Sequence, residues 1–113
     1  MAGVKDITKD NFQEEVLESS MPVMVKFTTD GCGPCQAIVP LLNEMSEEFA
    51  GKLKIVSFHV GFEEGMEGTN EVVVKYDIMA FPTLLVFQDG EPVETIIGAY
   101  TRDEIVGKLG DIV

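Results

Sequence analysis

Apolar residues along this chain follow two spacings, and the places where one gives way to the other predict its elements. Val23-Met24-Val25-Lys26-Phe27 is a short apolar run that continues to Thr28; Leu53 to Val60 (Leu53, Ile55, Val56, Phe58, Val60) and Thr83-Leu84-Leu85-Val86-Phe87 are others. Each reads as a strand, the last one apolar on both faces. Between them, Phe12, Val16 and Leu17, and then Ile38, Leu41, Leu42, Met45 and Phe49, return at helical intervals. Thr8 is placed to cap a helix over Lys9 to Ser19, which Met21-Pro22 breaks, because a residue before proline prefers extended backbone. A second helix runs from the cysteines to about Phe49, kinked at Pro40 and ended by Gly51.

Punctuation completes the order. Val4 to Ile7 is a short edge strand, Gly61 to Gly68 a glycine- and glutamate-rich loop, and Asn70 to Tyr76 a short helix containing Val72, Val73 and Val74. Asp89-Gly90 is a tight hairpin turn into a strand from Pro92 to Ile97. Thr101-Arg102-Asp103-Glu104 has the form of a capping box and opens a last helix through Leu109. The resulting order, β-α-β-α-β-α-β-β-α, implies parallel crossovers early and an antiparallel hairpin late. It is an α/β pattern, without repeat or linker, and the 113 residues suit one domain spanning 1–113.

Charge and composition narrow what such a domain can do. A formal net charge of −12 argues against nucleic acid, whose phosphates call for lysine and arginine, and favours solubility and encounter with basic surfaces. No apolar run approaches the roughly 20 residues of a membrane span. The start, Met1-Ala2-Gly3-Val4-Lys5-Asp6, has no export signal, so the expectation is a cytoplasmic protein with no membrane partner.

The two cysteines stand together as Cys32-Gly33-Pro34-Cys35. A disulfide constrains the unfolded chain more as its loop lengthens, so this pair is a poor staple and redox chemistry explains it better. It lies where a strand hands over to a helix. Free backbone N–H groups and the positive end of the helix favour a thiolate there, the form that attacks disulfides. Zinc or an iron–sulfur cluster would need four ligands, and His59 is the one further soft candidate; it reads better as a satisfied or exposed histidine, and no metal is expected.

Cys-Gly-Pro-Cys at that junction, followed by Phe81-Pro82-Thr83 before an apolar strand, a hairpin and Gly98-Ala99, resembles the thioredoxin family along essentially the whole chain. The resemblance implies a mixed sheet of four to five strands flanked by about four helices. It implies a nucleophilic Cys32 that forms a mixed disulfide with substrate and a resolving Cys35, with Gly33 and Pro34 between them. Pro82 matches the family's cis-proline, which bounds a substrate groove; Gly31, Phe81, Thr83, Gly98 and Ala99 would line that groove. Disulfide-containing proteins would be the substrates. A separate thioredoxin reductase would supply electrons, since the chain has no flavin or nucleotide motif and no cofactor is expected; a monomer suffices.

Two departures from the family stand out. Gly31 replaces a usual tryptophan, and Thr28 a commonly aromatic position, so the chain has no flat wall beside the thiol and no tryptophan at all. Lys26 falls where the family usually has a buried aspartate, and Ser57 where it has a companion lysine. Lys26 either supports the thiols, as a cation favouring thiolate or as a neutral base, or snorkels to the surface. These departures keep two other readings open: a carrier dedicated to one partner or to a non-standard reductase, and a redox-quiet module that binds through the same groove. Met66 and Met79 are candidates for partner contact, whereas Glu63, Glu64 and Glu67 read as solvent-facing loop.

Overall fold

Val23–Thr29 (β2) is the strand around which the sheet is built, because five residues in succession, Val23 to Phe27, are buried. A computed structural model describes residues 4–61, 71–98 and 101–112. Lys54–Val60 (β3) lies parallel to β2 on one side, and Thr83–Gln88 (β4) antiparallel on the other. Lys5–Ile7 (β1) pairs parallel outside β3, and Glu91–Ile97 (β5) antiparallel outside β4, giving the order β1-β3-β2-β4-β5. Asp89 and Gly90 both take left-handed backbone, φ 54° and 81°, the geometry a two-residue hairpin needs to follow the sheet's twist. A register shift opposite Val86 and Phe87 then steps over Val93, beside Pro92.

Strand alternation sorts the core into two layers. Val23, Val25 and Phe27 face one side with Phe12, Phe58 and Phe87; Met24 faces the other with Ile55, Leu84, Val86 and Ile96. The second side is covered by Gly33–Ala37 (α1), Val39–Glu48 (α2) and Arg102–Leu109 (α4), through Ile38, Leu42, Met45, Ile105 and Leu109. Glu71–Lys75 (α3) serves the first, through Val73. Four α-helices and five strands are thus present among the described residues, as the resemblance implies.

Two helix expectations need correction. The segment expected as a helix over Lys9 to Ser19 is a capped turn followed by one wide turn at Gln13–Leu17, where the Glu18 N–H reaches back to the Gln13 carbonyl at 2.9 Å. Thr8 and Asn11 do cap its start: the Thr8 N–H donates to Asn11 Oδ1 (2.7 Å) and the Asp10 N–H to Thr8 Oγ1 (3.2 Å). Its end is set by Ser19, whose hydroxyl donates to the Met21 carbonyl (2.9 Å) and accepts the Met21 N–H (3.3 Å), bonds that compete with a helix. The wide turn buries both Phe12 and Val16. In the second helix the interruption falls at Ile38 (φ −90°, ψ −3°), not at Pro40, which sits in the first turn of α2 where a missing N–H costs no helical bond.

The last helix follows its capping signal. Thr101 Oγ1 accepts the Glu104 N–H at 3.2 Å and donates to the Glu104 carboxylate at 2.9 Å. Arg102 then ties α4 to α2 through Glu48 and lies over the Phe49 ring. No described helix is long and apolar enough to cross a membrane.

Candidate active site

The site is assembled by the way β2 ends. After Thr29 the chain must reverse and climb into α1, and Gly31 makes that turn with φ +69°, a left-handed conformation that side-chain-bearing residues rarely adopt. A tryptophan held in this conformation would meet that strain. Cys32 caps α1 from extended backbone (φ −86°, ψ 99°), and its Sγ accepts the Cys35 N–H at 3.1 Å. The two cysteines are joined as a disulfide with their Cα atoms 5.3 Å apart.

Their exposure is unequal. Cys32 is half-buried, and Gly33 and Pro34 beside it are exposed, whereas Cys35 is 1% exposed. An incoming sulfur can therefore reach Cys32 and is shielded from Cys35.

Antiparallel pairing brings the second half of the site to the same place. Thr83 opens β4 opposite Phe27 near the end of β2, so the Phe81–Pro82 peptide, which is cis, lies at the sheet end that holds the cysteine loop. Pro82 is buried and Phe81 is half-buried against the aromatic layer. Thr83 turns its side chain inward: it is 2% exposed and its hydroxyl donates to the Ala80 carbonyl at 2.6 Å. Ile97 pairs with Thr83 from β5 and is exposed, followed by exposed Gly98 at φ +76°. Met79 is the most exposed large apolar residue described, at 84%. Ala99 falls outside the described residues, as do Met66, Glu63, Glu64 and Glu67.

The face of the sheet that α1 and α2 cover includes one row with three polar residues. Asp6, Ser57, Lys26, Leu84 and Ile96 form one cross-strand row, from β1 to β5, on the face that α1 and α2 cover. Lys26 is 6% exposed, so most of its side chain is held against the sheet. Burial lowers its pKa below the ordinary lysine value, and the Asp6 charge in the same row pulls it part of the way back. One pair further on the same face, Thr28 stands opposite His59, whose Nε2 meets Asp30 Oδ1 at 2.9 Å, tying β3 to the loop before Cys32. The sequence offered no signal for Asp30, Asp6 or Ile97: each depends on register between distant strands.

A reachable and a shielded sulfur in one small ring, at the end of a sheet and beside a cis-proline, define a thiol–disulfide oxidoreductase. Comparison with known proteins agrees. The thioredoxin family model matches residues 3–111. Thioredoxin C-2 of Corynebacterium nephridii is 41% identical over 104 residues, covering 92% of this chain and 91% of that protein. Thioredoxin 1 of Synechococcus elongatus is 33% identical over 103 residues, 91% of each chain, and the thioredoxin of Rickettsia prowazekii 34% over 103 residues, 91% and 92%. The chain belongs to the thioredoxin family.

Proposed function

We propose that this chain reduces disulfides in protein substrates, that a separate thioredoxin reductase restores its dithiol, and that it works as a monomer in the cytoplasm. The unequal exposure of Cys32 and Cys35 is the observation that supports the reading most directly. In the reduced protein the Cys32 thiolate attacks one substrate sulfur. A Cys32–substrate disulfide forms, and the other substrate sulfur leaves and takes a proton from solvent. Cys35 then gives up its proton, attacks Cys32 Sγ and releases the second substrate sulfur. The substrate gains two electrons, and the protein returns to the disulfide seen here. The Cys35 N–H held on Cys32 Sγ supports negative charge on the attacking sulfur.

Pro82 and Phe81 bound the groove on one side, with Gly33 and Pro34 on the other; Gly31 and Gly98 keep the approach low. Thr83 contributes through its backbone, since its hydroxyl is engaged with Ala80. Main-chain pairing with an extended substrate suits a groove walled by a residue without an N–H. Gly31 and Lys26 favour a second reading in the same class, a carrier matched to one partner. Turnover of insulin disulfides with dithiothreitol as reductant tests the first reading. Cys32→Ser should abolish it, and Cys35→Ser should trap the mixed disulfide. A wild-type chain that reduces no disulfide with any reductant would leave a redox-quiet binding module.

A further inference from the structure

We infer that Lys26 is a built-in counter-charge for the reduced cysteine pair, an electrostatic positioning residue that favours the dithiol's anionic form over the disulfide. This deepens the proposed reaction and rests on that reading of the cysteines.

Placement carries the inference. β2 and β3 are parallel neighbours, so the α1–α2 segment joining them runs back over the sheet antiparallel to both. Ile38, Leu42 and Met45 on that segment share a core with Met24 and Leu84. Cys35 stands one turn before Ile38, hence further toward the C-terminal end of β2. On that face of β2 the residues after Met24 are Lys26 and Thr28. The buried cysteine is thereby set over the stretch that holds the buried lysine.

In the oxidised protein one opposite charge acts on Lys26. Asp6 on β1 is the charge that acts on it, from across Ser57 and from a residue that is itself exposed. β4 and β5 offer Leu84 and Ile96 in its row, α2 offers Leu42 and Met45, and α4 offers Ile105 and Leu109, none of them titratable. His59 on β3 stands one pair further on and is engaged with Asp30. Among the described residues of the segment set over this face, the cysteines are the groups that reduction makes titratable, and they are neutral while joined. An ammonium partly withdrawn from water is less stable than one in bulk, and a sulfur that becomes anionic near it offsets that cost. Two electrons break the Cys32–Cys35 bond. At neutral pH one sulfur takes a proton from solvent and the other stays a thiolate, the pair titrating as a unit.

The test is the equilibrium between the protein and a glutathione series, read by trapping free thiols and weighing the products from pH 5 to 9. Lys26→Met keeps length and burial and removes the charge. Its equilibrium constant for reduction should fall about tenfold at pH 8, equivalent to about 30 mV for a two-electron couple, and approach the wild-type value at pH 5, where both thiols are protonated. Lys26→Arg should restore most of the difference. A folded Lys26→Met protein with an unchanged curve overturns the inference, as does an equal shift in both variants, which would make packing the cause. The equilibrium needs no protein substrate, so its failure leaves the proposed disulfide reduction standing, and failure of insulin turnover leaves this measurement intact.

Discussion

The two faces of the sheet are buried equally well and built differently. On one, Phe12, Phe27, Phe58, Phe87 and Tyr76 interlock, with ring centres 5.0 to 5.9 Å apart and several pairs edge to face. No described buried residue there is charged. On the other, the aliphatic row of Ile55, Met24 and Val86 is followed by one in which β2 and β3 carry Lys26 and Ser57. The aromatic face stabilises without reference to charge, and the aliphatic face gives up some apolar burial where the chemistry happens. Stability and redox poise are therefore separable by face, which Lys26→Met above addresses from the chemical side.

From the structural side, Phe58→Ala is the strongest probe. Phe58 is 1% exposed and meets Phe12 and Phe27, so removing it should cost about 3–5 kcal/mol in denaturant unfolding. Its glutathione equilibrium should match the wild type; a shift as large as that of Lys26→Met would show that the faces are coupled. Gly31→Ala is intermediate. A Cβ there meets open space, so the penalty is conformational, about 1–2 kcal/mol, and the alkylation rate of Cys32 should change because the loop must move. Equal stability and equal rate would remove the special role of that turn.

Glu15 is the smallest probe and lies away from both cysteines. Lys5 and Lys54 bond its carboxylate, each at 2.6 Å, and hold its pKa down at about 2 from 4.5. A depressed carboxyl stabilises the fold above its unfolded value and loses that contribution as pH falls from about 4.5 toward 2. Glu15→Gln should therefore lower stability at pH 7 by up to about 1 kcal/mol, with Lys5 well exposed to screening, and should converge with the wild type near pH 2. Parallel melting curves across that range would mean the pair is not coupled to folding.

What could be read in advance depended on how local its cause was. The Asp89-Gly90 hairpin, the Thr101 cap and the Cys32–Cys35 ring each rest on a few neighbouring residues, and each stands as expected. The stretch from Lys9 to Ser19 did not, because its apolar stripe fits a regular helix as well as one wide turn, and Ser19 decided the matter by bonding to Met21. Pro40 marked the right segment, but the interruption settled at Ile38, where the proline could become part of a first turn. At the site, Lys26 was visible as an oddity, whereas its burial and its row with Asp6 come from strand pairing.

The outer strands have a consequence for behaviour in a crowded solution. β1 is only three residues long and presents Lys5 and Asp6, while β5 carries Glu91, Pro92 and Glu94 and a register step at Val93. Short length, like-signed charge, a missing donor and an irregular ladder each discourage another chain from adding itself as a further strand. The far end of β5, at Ile97 and Gly98, has none of these guards. The margin of the sheet thus resists self-templating along most of its length and is unguarded at the sheet end from which β2 runs on to the cysteine loop.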